Sequence, residues 1–137
     1  MTRFASATFV LVSATLLACV SLPGCPAPAE PAAAISPAKF DQVVSQDKLV
    51  LVKFGATWCG PCRQVDAELN SLNASLPADV EVLKIDVDEN PELAQQYQIS
   101  SIPRLMLVRN GSIVDDKVGY MSEADLQSWI GEFRDVQ

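Results

Sequence analysis

Residues 49–70 read LVLVKFGATWCGPCRQVDAELN, and this stretch decides the fold. Its first six residues form a near-continuous apolar run, which is typical of a strand buried on both faces. Its second half carries apolar residues at helical spacing, so a helix is predicted from about 59 to 74. Cys59 and Cys62 lie at the junction between the two, separated by two residues. Two cysteines in that arrangement indicate a reversible dithiol/disulfide.

Patterns on both sides of this stretch predict the remaining elements. Ser36-Pro37 has the form of a helix N-cap followed by proline, and predicts a short helix through Val44. We further predict a strand over 80–87, a short helix opening at 90–91, strands over 104–109 and 112–118 around the hairpin turn Asn110-Gly111, and a last helix from 122–123. A βαβ unit followed by an antiparallel hairpin predicts an α/β fold with a mixed central sheet and helices on both faces.

Composition limits the chain to one domain and excludes several kinds of function. The 137 residues are 49% hydrophobic and 20% charged, which suffices for one core and not for two. The chain has no His, which excludes Ser/His and Cys/His catalytic pairs and His-ligated metals. The net charge is −7 and the ten Lys and Arg are scattered, so no nucleic acid partner is predicted. A Cys-X-X-Cys pair is also half of a zinc site, but a closed zinc site needs four ligands. We therefore predict no metal.

Residues 1–25 are predicted to be a targeting segment outside the fold. Arg3 supplies a positive charge, and residues 4–22 are uncharged, mostly apolar and short for a membrane span. Cys19 and Cys25 each end a segment that resembles the bacterial lipobox, whose cysteine becomes lipidated. Cys25 is favoured because polar and Pro-rich residues follow it. The alternatives are an ordinary cleaved signal peptide and a retained N-terminal anchor. Residues 26–36 then form a Pro/Ala tether, and residues 37–137 form the domain.

The motifs of this chain resemble those of the thioredoxin family. Residues 52–63 look like the active-site segment of that family, and further matches follow in order at 84–91, 97–103, 110–111 and 117–119. The resemblance covers about residues 37–135, which is essentially the whole predicted domain. It implies the thioredoxin fold and an enzyme that reduces protein disulfides through its own cysteines, without a cofactor.

The resemblance also implies a role for each cysteine. Cys59 is expected to be exposed at the N-terminus of the second helix, where backbone N–H groups and the helix dipole stabilise its thiolate. It would attack a substrate disulfide and form a mixed disulfide. Cys62, one turn later and more buried, would then attack the Cys59 sulfur and release reduced substrate. Pro61 would fix the backbone near the helix start and help to hold the two sulfurs in register.

A shallow, mostly apolar substrate groove is expected around the cysteine pair. Ile102-Pro103 resembles the cis-proline loop of the family, which lets residue 102 pair with an extended substrate backbone. The expected groove residues are Trp58, Gly60, Pro61, Ile102, Pro103, Gly119 and Tyr120. The alternatives are that Trp58 belongs to the core and that Pro103 is an ordinary turn proline.

Lys53 departs from the family pattern. Typical thioredoxins carry a buried Asp at this position, beneath the second cysteine and near a lysine matched here by Lys84. In one interpretation the Lys53 ammonium extends to solvent and has no role. In the other, Lys53 and Lys84 leave positive charge near Cys62 and make the disulfide more oxidising, or Lys53 acts as a base. Asp86 is a candidate to neutralise one of the two lysines.

The leading prediction is an exported, lipid-anchored thiol–disulfide oxidoreductase that reduces protein disulfides outside the cytoplasm. It would be a monomer on the periplasmic side of a membrane, acting on disulfide-bearing proteins. A membrane electron donor would re-reduce it. Alternatives are a dedicated reductant for cytochrome c maturation, a dithiol oxidase, and a non-enzymatic thioredoxin-like binding module. Members of the first two classes usually carry insertions that are absent from this compact domain.

Overall fold

Local signals in the sequence fix where the helices begin. The computed structural model describes residues 34–134. Ser36 caps the first helix, since its hydroxyl accepts a hydrogen bond from the Lys39 N–H at 3.3 Å, and Pro37 follows at the first helical position. Cys59 is the N-cap of the second helix. The predicted targeting segment over 1–25, with Cys19 and Cys25, lies outside the described residues, as do residues 26–33 of the predicted tether.

The described chain alternates helices and strands. In order, the elements are α1 (Pro37–Val44), β1 (Leu49–Gly55), α2 (Gly60–Asn73), β2 (Val80–Asp86), α3 (Pro91–Gln96), β3 (Arg104–Arg109), β4 (Ser112–Val118) and α4 (Glu123–Arg134). Each predicted element is present within a few residues of its expected bounds. Among residues 34–134, no helix combines the length and the apolar character needed to cross a membrane.

The four described strands form one mixed sheet in the order β2-β1-β3-β4. Strand β1 pairs in parallel with β2 and antiparallel with β3, and β3 pairs antiparallel with β4. Asn110 and Gly111 both have positive φ, 50° and 75°, which is the geometry that an Asn-Gly hairpin turn requires. The prediction of a mixed sheet with a closing hairpin is confirmed.

Strand β1 divides the core into two layers because its side chains alternate between the two faces of the sheet. All seven of its residues are buried. Leu49 and Leu51 pack with residues of α2 and α4, whereas Val50, Val52 and Phe54 pack with residues of α1 and α3. Helices therefore cover both faces, as predicted. The same alternation assigns Lys53 to the face that α2 covers.

Candidate active site

Cys59 and Cys62 are joined by a disulfide at the N-terminus of α2, with their Cα atoms 5.2 Å apart. The Cys59 sulfur accepts a hydrogen bond from the Cys62 N–H at 3.2 Å, so it occupies the position of a helix cap. Cys62 is fully buried, in agreement with its expected depth. The backbone N–H groups at this helix end favour negative charge on the sulfur of Cys59.

The expectation that Cys59 is exposed is wrong for the disulfide form. Only 7% of its surface is accessible. Its side chain packs with Ala56 and Cys62, and Ile102 and Val87 pack against this small cluster. This apolar packing limits the access of solvent to the disulfide.

The Ile102–Pro103 peptide bond is cis, as the sequence predicted. The Pro103 carbonyl accepts a hydrogen bond from the Gly119 N–H at 2.9 Å, which joins this loop to the end of β4. Gly119 has φ +103°, a conformation that residues with a side chain rarely adopt. Cys59, Cys62, Ile102, Pro103 and Gly119 are thus connected by direct packing and by one backbone hydrogen bond.

Trp58 lies on the surface and is 67% exposed, so the alternative that it belongs to the core is wrong. Its indole N–H donates a hydrogen bond to the Asp88 carboxylate at 2.7 Å. On the helix side, Gly60 and Pro61 line an open depression of about 500 Å³ together with Arg63, Gln64 and Ala67. Trp58 directly precedes Cys59 in the chain, and the lining of the depression begins with Gly60, directly after Cys59.

Tyr120 is half-exposed next to Gly119, and a carboxylate fixes its phenol. The Tyr120 hydroxyl donates to the Glu68 carboxylate at 2.8 Å, and the other oxygen of Glu68 accepts from the Glu123 N–H at 3.0 Å. The hydrogen bond to Glu68 raises the pKa of Tyr120 above its ordinary value. Glu68 thus ties Tyr120 to α2 and to the start of α4, a role that no feature of the sequence indicated.

The interpretation in which Lys53 reaches solvent is wrong. Lys53 is 4% exposed, and its ammonium lies 2.8 Å from the Asp66 carboxylate in α2. Asp86 forms no ion pair with either lysine within residues 34–134, and one of its carboxylate oxygens accepts from the Asp88 N–H at 2.9 Å. Lys84 lies nearer the surface, 2.7 Å from the Asn70 side-chain oxygen and 3.7 Å from Asp66. Asp66 is therefore the carboxylate that both lysines share.

Asp66 is the residue of this site that the sequence interpretation missed, although a signal for it exists. Lys53 continues the alternation of Leu49 and Leu51, which places it on the face that α2 covers. Asp66 follows Cys62 by four residues, so the two share one side of the helix. A charged residue in an apolar strand predicts a counter-charge on the helix that covers it, here on that side of α2.

Comparisons with known proteins give the same family for the whole domain. The family model described as "Thioredoxin" matches residues 31–132. The thioredoxin of Rickettsia felis is 40% identical over 91 residues, covering 66% of this chain and 87% of the relative. The thioredoxin of Porphyra purpurea is 37% identical over 100 residues, covering 72% of this chain and 94% of the relative.

Solved structures agree with these sequence matches. The crystal structure of Malassezia sympodialis thioredoxin (Mala s 13) has a TM-score of 0.63 at 35% identity, covering 71% of this chain and 87% of that chain. A structure concerning thiol resolution in yeast mitochondrial 1-Cys peroxiredoxin via glutathione/thioredoxin systems contains a chain with a TM-score of 0.65 at 28% identity. That match covers 72% of this chain and 91% of the other.

The chain belongs to the thioredoxin family. It has the thioredoxin fold and is an enzyme of the thioredoxin type, with Cys59 and Cys62 as its redox-active Cys-X-X-Cys pair.

Proposed function

We propose that this chain reduces protein disulfides by thiol–disulfide exchange at Cys59 and Cys62, outside the cytoplasm. The observation that carries the proposal is the disulfide at the N-terminus of α2, with the sulfur of Cys59 as the helix cap and that of Cys62 fully buried beneath it. This arrangement gives the two sulfurs different access to a substrate. The outer sulfur meets the substrate, and the inner one is kept for the second step.

The exchange proceeds in two displacements. In the reduced protein, the Cys59 thiolate attacks one sulfur of a substrate disulfide, which forms a mixed disulfide and releases the first substrate thiol. The Cys62 thiolate then attacks the Cys59 sulfur, which closes the protein disulfide and releases the second substrate thiol. Two electrons and two protons pass from the protein to the substrate. Ile102, packed against the disulfide, and the exposed Trp58 provide apolar surface for a substrate chain.

A Cys59→Ser variant tests this proposal, since it removes the attacking sulfur. The assay is dithiothreitol-driven reduction of insulin by the full chain, in a Cys19→Ser/Cys25→Ser background that leaves no other thiol. We expect the protein-dependent rate to disappear with Cys59→Ser. In a separate reaction without dithiothreitol, which would cleave the product, the reduced Cys62→Ser variant should accumulate a mixed disulfide with insulin, because the second displacement is lost.

The outcomes separate an enzyme from a binding module. A parent protein with no activity above the dithiothreitol background would refute disulfide reduction and favour the non-enzymatic alternative. Retention of activity by Cys59→Ser would refute the assignment of the attacking thiol. A Ser45→Ala substitution, on the surface beyond α1, controls for effects of substitution and purification that do not involve the cysteines.

The proposed location rests on residues 1–25. An uncharged apolar segment after Arg3, ending at Cys25 in a lipobox-like context, supports export and lipid anchoring. Such a protein is separated from cytoplasmic reductants, so we propose that a membrane protein that carries electrons across the bilayer re-reduces Cys59 and Cys62. Its substrates would be disulfide-bearing proteins on the periplasmic side.

Mass spectrometry of the chain after expression in a bacterial host tests the anchor. We expect an N-terminal peptide that begins at a diacylglycerol-modified Cys25, and recovery of the protein in the membrane fraction. The Cys25→Ser variant should lose both properties, whereas the matched Cys19→Ser variant should keep them. A chain that begins at an unmodified residue would favour an ordinary cleaved signal peptide, and a lipid on Cys19 would reverse the assignment.

A further inference from the structure

Lys53 supplies a positive charge next to the cysteine pair. Lys53 is almost fully buried within β1, on the face of the sheet covered by α2. A buried ammonium is destabilising unless a counter-charge is in contact with it. Asp66 supplies that counter-charge at 2.8 Å.

The Lys53 ammonium is also a close neighbour of Cys62. A Cβ atom built on Gly55 would lie 2.5 Å from Lys53 Nζ and 3.2 Å from Cys62 Cβ. The ammonium and the cysteine therefore border the same small space, which is open only because residue 55 is glycine. A buried ammonium in this position would act on a Cys62 thiolate with little screening by solvent.

Of the charged residues near Cys62, Lys53 is the most deeply buried. Lys53 from β1 and Lys84 from β2 share the one carboxylate of Asp66 from α2. The Lys53 side chain is 6% accessible, whereas the side chains of Asp66 and Lys84 are both 32% accessible and are better screened. Asp86 at the end of β2, the register partner of Gly55, has a carboxylate oxygen that accepts from the Asp88 N–H.

We propose that Lys53 tunes the redox equilibrium of the Cys59–Cys62 pair and that Asp66 positions it. The ammonium stabilises negative charge on the sulfurs of the reduced protein and does nothing comparable for the neutral disulfide. Stabilising the reduced form makes the disulfide more oxidising. Neither residue touches substrate, and both act on the exchange described under Proposed function, on which this inference rests.

The Lys53 ammonium acts at the second displacement. The thiol of Cys62 loses its proton to solvent, and the thiolate that forms beside Lys53 attacks the Cys59 sulfur. The bond between Cys59 and the substrate sulfur breaks, and the departing substrate thiolate takes a proton from solvent. Lys53 takes no part in these proton transfers and changes only the stability of the thiolate.

The decisive measurement is the equilibrium of the purified full chain with reduced and oxidised glutathione, in the Cys19→Ser/Cys25→Ser background. Lys53→Met keeps the length of the side chain and removes the charge. We expect it to lower the equilibrium constant for protein reduction about tenfold, equivalent to about 30 mV. The difference should grow from pH 7 to pH 9, because more of the reduced protein then carries thiolate.

Asp66→Asn provides the opposing variant, since it leaves the ammonium without its counter-charge. At pH 7 we expect the equilibrium constant to rise, and that of the double variant Lys53→Met/Asp66→Asn to lie between those of the two single variants, because it carries neither charge. A purely structural ion pair would instead shift unfolding midpoints and leave the equilibrium constants equal. The double variant also retains a test if one unpaired charge prevents folding, because it buries no isolated charge.

The matched controls are Lys48→Met and Asp47→Asn, which make the same charge changes ahead of β1, at the end of the strand away from the disulfide. The inference is overturned if Lys53→Met behaves like Lys48→Met, or if Lys53→Met and Asp66→Asn shift the equilibrium in the same direction. A parent protein that fails to exchange with glutathione would instead refute the proposed function. The two failures are therefore distinguishable.

Discussion

At the scale of single residues, the position of the Lys53 side chain depends on Gly55. A Cβ at residue 55 would come within 2.6 Å of both Nζ and Cε of Lys53. Gly55 is not among the residues at positive φ, so the restriction is steric and not conformational. The lysine at 53, the carboxylate at 66 and the missing side chain at 55 are three parts of one arrangement.

Gly55→Ala is therefore expected to destabilise the protein by about 1–3 kcal/mol, because overpacking forces Lys53 away from Asp66. In a Lys53→Ala background the same substitution should be less harmful, since only the contact with Cys62 Cβ remains. Urea unfolding of the four proteins of this double-mutant cycle measures the coupling.

Gly131→Ala is the matched control for that cycle. A Cβ at Gly131, inside α4, would meet no atom within 4 Å. It should stabilise the protein by about 0.5–1 kcal/mol through helix propensity. If Gly55→Ala lowered the free energy of unfolding equally in both backgrounds, the added Cβ would not be acting through Lys53.

At the scale of elements, the sequence was sufficient wherever a local signal acts alone. Ser36-Pro37 begins α1, and Asn110-Gly111 makes the hairpin turn, because capping and positive φ are properties of a few adjacent residues. The apolar run at 49–54 predicted β1 because a near-continuous apolar run is typical of a strand buried on both faces. The order of elements then left few ways to assemble the sheet.

The sequence was insufficient where the outcome depends on contacts between elements. Cys59 is buried in a small cluster against which Ile102 and Val87, distant in sequence, also pack. The partner of Lys53 depends on which turn of α2 lies over the end of β1. Glu68 is linked to Tyr120 and to Glu123 across 52 and 55 residues. Pairings of this kind are set by the docking of elements, and a pattern within one element indicates at most the face on which the partner lies.

At the scale of the whole molecule, two carboxylates outside α4 form hydrogen bonds and an ion pair with residues of this last helix. The Trp129 indole N–H in α4 donates to Asp115 in β4 at 2.7 Å, and Lys117 lies 3.1 Å from the same carboxylate. Arg134 at the end of α4 lies 2.9 Å from Asp79. The hydrogen bond from Trp129, and then that from Lys117, hold the pKa of Asp115 below its ordinary value. The hydrogen bond from Arg134 likewise lowers the pKa of Asp79.

Because these pKa values are lowered, the free energy of unfolding should fall as the solution is acidified. A carboxylate with a lower pKa in the folded state stabilises the protein above its ordinary pKa, and this stabilisation is lost as pH falls through the folded value. Asp115→Asn should therefore lose at most about 1 kcal/mol at pH 7, since the site is partly open to solvent. The gap in the free energy of unfolding between variant and parent should close as pH falls from about 4 toward 2, below the ordinary pKa of Asp.

Urea midpoints followed by circular dichroism across this pH range measure the gap in the free energy of unfolding. The exposed Asp47→Asn serves as the control. A gap that persists undiminished at pH 2 would mean that the Trp129 contact stabilises α4 through its geometry alone, without the charge of Asp115.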